Sequence, residues 1–225
     1  MSSTGFATVN PATGEQIESF SFYGSGQIEN TLALAEKSFQ SFRKMPVFER
    51  AQLLSQLGES LRKNKAQLAK VITTEMGKVS FEAEAEIERC AHEADWYAEH
   101  GPKIMADEPA PTGVVNAYVS YLPLGIILAV MPWNFPVWQL TRMAIPTMLA
   151  GNVVVVKHSM NTQRSSLEFE RVMLEAGFPE GVFSEHDSEE GRRRQRNKRS
   201  TSSRSFRNGK RSRRLRSCLR GRKSH

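Results

Sequence analysis

The run GIILAVMPWNFPVWQLTRMAIPTMLAGNVVVVK, residues 125–157, decides the fold. It opens and closes on short apolar segments, Gly125–Met131 and Asn152–Lys157, the second with four consecutive valines. β-Branched residues pack well on a pleated surface, and an apolar run without alternation reads as a strand covered on both faces. Gly125–Met131, almost wholly apolar, is therefore expected in the centre of a sheet. Between the two strands, Phe135–Ala150 reads as a helix, which Pro146 would have to kink or split. Thr162–Ala176 is a further helix, closed by Gly177. Strand, helix, strand, helix is the order of a βαβ unit, so an α/β protein with a parallel sheet is expected.

Upstream the texture differs. Phe6–Val9 and Gln16–Phe22, joined by the turn-forming Asn10-Pro11-Ala12-Thr13-Gly14, predict a β-hairpin. Helical spacing follows in Gln27–Arg43, where Ile28, Leu32, Ala35 and Phe39 share a face. Pro46 opens a second helix, striped by Leu53, Leu54, Leu57 and Leu61. Asn64 caps a third that runs to Met76 and stops at Gly77, and Ser80 caps a long acidic helix ending at His100-Gly101. Val114–Leu122 reads as another strand.

The chain of 225 residues is 39% apolar, enough for a core, and its formal charge of +7 hides two unlike parts. Residues 184–225 hold 16 of the 31 Lys and Arg but 4 of the 24 Asp and Glu. Their apolar residues are Phe206, Leu215, Cys218 and Leu219, too few to offset the entropy of ordering, and a disordered basic tail is expected. Two cysteines exclude a disulfide framework, and neither lies in a metal-ligand cluster. No secretory leader is visible and no apolar run nears the roughly 18 residues of a membrane span, so a cytoplasmic protein with no membrane partner is expected.

Met131-Pro132-Trp133-Asn134-Phe135-Pro136 falls at the carboxyl end of an apolar strand, where ligands bind in open parallel sheets. A primary amide there can donate to an oxyanion without carrying charge. On spacing alone, the favoured reading is a Pro-bracketed turn with Trp133 as packing and Asn134 as a helix cap. Gly24-Ser25-Gly26 is too short for a dinucleotide fingerprint, and His92 with Glu88 and Asp95 reads as a solvated acidic helix face rather than a metal site.

Taken as motifs, Pro123-Leu124-Gly125, Met131–Pro136, Gly151-Asn152 and Lys157-His158-Ser159 closely resemble the aldehyde dehydrogenase superfamily. The strings Asp95–Pro102 and Met131–Pro136 are most similar to the succinate-semialdehyde dehydrogenases that accept NAD or NADP. The resemblance runs from about Asn10 through Phe183. It implies an incomplete doubly wound, Rossmann-like parallel sheet with an N-terminal helical layer, in residues 1–183, followed by the tail at 184–225. It implies an oxidoreductase that converts an aldehyde, succinate semialdehyde, to the acid with NAD(P)+. By the same resemblance, Asn134 is the oxyanion-hole amide. Val130, Met131, Pro132 and Trp133 run beside the nicotinamide ribose and phosphates. Lys157 hydrogen-bonds the adenosine ribose, and His158, Ser159 and Met160 line the same pocket. Many NAD-preferring relatives carry a glutamate where Met160 stands; its loss removes repulsion against a 2′-phosphate, so NADP is tolerated. Arg142 resembles the arginine that holds the substrate's distal carboxylate, a pairing a planar guanidinium makes well, although an exposed helix arginine is an even alternative.

The family's nucleophilic Cys and general-base Glu have no counterpart in this sequence. Cys90 shares a helix face with Ile87, Ala91 and Ala94, and Cys218 lies in the Arg/Ser tail without an acid or histidine arranged around it. The chain as written is therefore expected to be inactive, to bind cofactor weakly and to lack the family's oligomerisation segment. The abrupt change of composition after Phe183 reads as a frameshifted, truncated product. The alternative is a genuine basic tail that binds nucleic acid or other polyanions through runs such as Arg192-Arg193-Arg194.

Overall fold

A computed structural model of the chain describes residues 5–111 and 117–186. Strands β1 (Gly5–Val9) and β2 (Gln16–Ser21) pair antiparallel as the expected hairpin. Four helices follow: α1 (Ser25–Phe42), α2 (Val47–Lys63), α3 (Lys65–Met76) and α4 (Ser80–Ile104). Gly77 ends α3 with φ +77°, a conformation that costs glycine nothing. Asn64 occupies the N-cap of α3 as expected, but its side chain makes no capping hydrogen bond; the amide donates instead to Ser60 O and to Glu175 Oε2. Val79, not Ser80, occupies the N-cap of α4, and that helix continues through Pro102 to Ile104. A proline so near the helix end forfeits little of the hydrogen-bond ladder.

The leucine stripe of α2 packs against α4, burying Leu54, Leu57, Leu61, Ile87, Cys90, Ala91 and Ala94 in one core. The two helices touch closely at Gly58, where a Cβ would stand 3.3 Å from Ala91 O. Short strands β3 (Glu108–Pro109) and β4 (Tyr118–Val119) pair antiparallel; β4 is what remains, among the described residues, of the strand expected over 114–122.

The parallel sheet consists of β5 (Ile126–Val130), β6 (Val153–Lys157) and β7 (Phe183–Glu185), in the order β5-β6-β7. Every residue of β6 is buried. β5 stands at the edge of the sheet among the described residues, not in its centre, with Leu128 64% and Val130 58% exposed. Helix α5 (Trp138–Leu149) connects β5 to β6, and α6 (Gln163–Glu175), entered through a 3-10 turn at Met160–Thr162, connects β6 to β7. Pro146 is accommodated within α5, which starts three residues later than expected. Pro136 disfavours helical backbone at Phe135, so the residues before Trp138 stay in an irregular turn.

β7 carries the fold past the boundary expected at Phe183. Ser184 and Glu185 pair with Val155 and Val156, His186 N–H donates to Val156 O at 2.7 Å, and all three residues are buried. Strand pairing uses backbone groups, which any residue other than proline supplies whatever its side chain, and the ring of Phe183 meets Phe169 edge-on at 5.2 Å. The rest of the expected tail lies outside the described residues. No helix among those described is long and apolar enough to cross a membrane.

Candidate functional site

Parallel register builds the site. Val130 is the partner of Lys157, and Met131 N–H donates to Lys157 O at 3.0 Å. The stretches Val130–Asn134 and Lys157–Met160, far apart in sequence, therefore leave the carboxyl ends of β5 and β6 side by side. That edge of an open α/β sheet is where ligands bind.

On the β5 side, Val130, Pro132, Trp133 and Asn134 are all exposed, and Met131 is half-buried against the core. The Asn134 amide makes no side-chain hydrogen bond among the described residues, so its N–H groups are free to meet an oxygen. The turn that carries it is held from below. Glu86 of α4 accepts the backbone N–H groups of Val137 (3.0 Å) and Trp138 (2.9 Å) on Oε1, while its Oε2 pairs with Lys78. The Lys78 ammonium lies 3.9 Å from the centre of the Phe135 ring.

On the β6 side, Lys157 is buried and its Nζ donates to His158 O at 2.8 Å. His158 is also buried. Its Nδ1 accepts the Ser159 N–H at 2.8 Å, which fixes the ring proton on Nε2, and Nε2 reaches Pro136 O at 3.0 Å. Burial pushes this imidazole down to about 4, so it is neutral at physiological pH. His158 thus ties the Asn134 turn to the end of β6 rather than facing solvent. Ser159, whose hydroxyl donates to Asn161 Oδ1 at 2.5 Å, and Met160 at the start of the 3-10 turn are both partly exposed. Behind them stands Glu185 of β7, accepting from His158 N–H and Gln163 Nε2 at 3.3 Å each and from the Ser166 hydroxyl. Burial, with the Glu170 carboxyl adding to it, pushes Glu185 up to about 8.

Arg142 is exposed in the second turn of α5, its guanidinium 5.9 Å from the centre of the Trp138 ring; Arg89 of α4 approaches the same ring at 5.0 Å. Trp138, Arg89, Phe135 and Lys78 line a cleft of about 400 Å³ between α4 and the start of α5. A groove of about 530 Å³ between α2 and α4, lined by Phe48, Gln52, Asp95 and Glu99, contains none of the residues expected to bind cofactor, oxyanion or substrate.

Cys90 is fully buried on α4 and burial pushes its thiol well up, which leaves it without nucleophilic thiolate. Cys218 lies outside the described residues. His92 sits exposed 3.6 Å from Glu88, whose carboxylate is engaged by Arg62 and Lys65, while Asp95 pairs with Arg62. Sequence reasoning missed Glu86 and Lys78. The available signal was the spacing of Glu86, a carboxylate on the helix stripe of Ala83, Ile87 and Cys90, where only a partnered charge can sit.

The profile of the aldehyde dehydrogenase family matches residues 1–192. The chain is 43% identical over 176 residues to the NAD(P)+ succinate semialdehyde dehydrogenase Sad of Escherichia coli K12, covering 78% of this chain and 38% of that protein. It is 41% identical over 181 residues to the NADP+ succinate-semialdehyde dehydrogenase of Mycobacterium avium, covering 79% of this chain and again 38% of the relative. Its fold is similar to the crystal structure of succinic semialdehyde dehydrogenase from Streptococcus pyogenes in complex with NADP+, with a TM-score of 0.80, 29% identity, and coverage of 90% of this chain and 48% of that one. The chain thus spans less than two-fifths of the length of the curated relatives named here.

Proposed function

The chain belongs to the aldehyde dehydrogenase family, and from that premise we propose that it supplies the cofactor-binding and oxyanion side of an NAD(P)+-dependent oxidation of succinate semialdehyde to succinate. The observation that carries this reading is the pairing of Val130 with Lys157, which brings the segment that leads to the exposed Asn134 amide and the strand end that carries Lys157 to the same edge of the sheet.

The residues fit such a cofactor. Lys157 and the Ser159 hydroxyl are donors suited to ribose hydroxyls, and Met160 offers no carboxylate to repel a 2′-phosphate. The main chain of Val130–Trp133, with the Trp133 ring 51% exposed, borders the nicotinamide end. Bound there, NAD(P)+ supplies a hydride acceptor. Asn134 donates to the aldehyde oxygen as negative charge develops on it, a role in which removing one donor costs about 3–4 kcal/mol in measured cases. Arg142 pairs with the distal carboxylate, which orients the aldehyde toward Asn134.

Neither of the chain's two cysteines furnishes the thiolate that must form the covalent adduct, since Cys90 is in the core and Cys218 belongs to the Arg/Ser tail. We read the 225-residue chain as able to bind and polarise but not to complete the oxidation. Reading the tail as shifted-frame sequence is supported by β7 itself. Its last residue and the one after it are a carboxyl and an imidazole in buried positions beside a strand of valines. The direct test is turnover: purified chain with NADP+ and succinate semialdehyde should form no NADPH, whereas formation that survives Cys90→Ser with Cys218→Ser refutes this mechanism.

A further inference from the structure

We propose that Glu86, with its charge matched by Lys78, is the positioning residue for the turn that presents Asn134. The inference rests on the reading of Asn134 as the oxyanion donor.

Four consecutive residues after Asn134 are pinned from three different parts of the chain. The ammonium of Lys78, from the α3–α4 connection, lies against the Phe135 ring at 3.9 Å. His158 Nε2, from the end of β6, donates to Pro136 O at 3.0 Å. Glu86 Oε1, from α4, accepts Val137 N–H and Trp138 N–H at 3.0 and 2.9 Å. The Glu86 and Lys78 side chains are 1% and 8% exposed, so this is a buried ion pair whose oxygens are all engaged. A buried pair contributes little net stability compared with apolar residues of the same volume, but it demands one geometry of the groups around it. Here those groups are the N–H of Val137, the N-cap of α5, and that of Trp138, its first residue, neither of which has a partner within the helix. Their direction fixes where the backbone enters α5, and hence where the exposed amide four residues before Trp138 stands. Pro132 and Pro136 narrow the remaining backbone freedom on both sides of Asn134.

The arrangement separates two contributions that mutagenesis can read. Glu86→Ala removes the acceptor and strands the Lys78 charge. The double variant Glu86→Gln with Lys78→Met keeps an amide oxygen to accept both N–H groups and leaves no charge behind.

The full 225-residue chain and both variants should be compared by peptide-level hydrogen exchange and by NADP+ titration. In Glu86→Ala, exchange over residues 131–138 is expected to rise about tenfold or more, the change that losing one hydrogen bond to a charged group brings. Peptides of α2 and β6 should stay near wild type, NADP+ binding should weaken by a similar factor, and the double variant should recover both. Unchanged exchange over 131–138, uniformly faster exchange throughout, or a double variant that fails to recover would overturn the proposal. A wild-type chain that binds no NADP+ counts against the cofactor reading above instead, and the exchange arm then decides the role of Glu86 by itself.

Discussion

Replacing Glu185 with glutamine should flatten the dependence of stability on pH between about 6.5 and 8. In the folded chain this carboxyl lies beside Val156 in β7, and burial, with the Glu170 carboxyl contributing, raises it from the ordinary 4.5 to about 8. Glu170 is itself raised to about 7, chiefly by burial, and Glu180 adds to that. A folded state that holds a proton the unfolded chain has released is stabilised at low pH and loses that stability as pH rises through the folded pKa. Below about 6.5 the histidines oppose this trend. Burial lowers His158 to about 4 and lowers His186 as well, so the folded state binds fewer protons there and gains stability as pH rises toward 6.5. Between 6.5 and 8 the charge left on these two residues in the unfolded chain fades, so their opposition is confined to the lower end of the window and the raised carboxyls set the slope above it. At about 1.4 kcal/mol per pH unit for one proton, Glu185 accounts for a loss of roughly 1.5–2 kcal/mol across that window. Urea unfolding of wild type and Glu185→Gln at pH 6.5, 7.2 and 8, followed by tryptophan fluorescence, measures it directly. A wild-type profile that is level or rising, or a variant that keeps the wild-type slope, refutes the reasoning.

Other perturbations have equally definite outcomes. Glu75 of α3 accepts the N–H groups of Arg164 and Ser165 at 2.8 and 2.9 Å and thereby caps α6; Glu75→Ala should cost about 2–3 kcal/mol in denaturant unfolding. A Cβ at Gly101 would fall 2.2 Å from Leu149 Cδ2, so Gly101→Ala should force α4 and α5 apart and lower stability by about 1–3 kcal/mol. Residues 187–225 hold 16 of the chain's 31 Lys and Arg. Full-length chain should therefore stay on immobilised heparin at low salt and elute as salt rises, and deletion of that segment should abolish the retention.

The sequence made legible whatever periodicity and punctuation encode. The hairpin, the leucine-striped α2, the stop at Gly77 and the valine strand β6 all stand where their patterns put them. What pattern does not encode is neighbours. The apolar run of β5 reports what covers a strand, not what pairs with it, so an edge strand reads like a central one. The strand β7 was hidden by composition, since the change to polar residues after Phe183 says nothing about backbone pairing with β6. At the candidate site, the resemblance pointed to two stretches far apart in sequence, and the Val130–Lys157 register sets the strand ends that carry them side by side. The support of the Asn134 turn depends on Glu86 and His158, contacts spanning 52 and 22 residues that no local pattern announces.

The central claim, that the adjoining ends of β5 and β6 form the cofactor-binding side of an aldehyde dehydrogenase, is tested most directly by calorimetric titration of NADP+ into the purified chain and its Lys157→Met variant. The account predicts saturable binding to the wild-type chain, weakened about tenfold by loss of the ammonium, as for one hydrogen bond from a charged donor. Equal affinity in the two proteins, or no saturable binding to the folded wild-type chain, would contradict it.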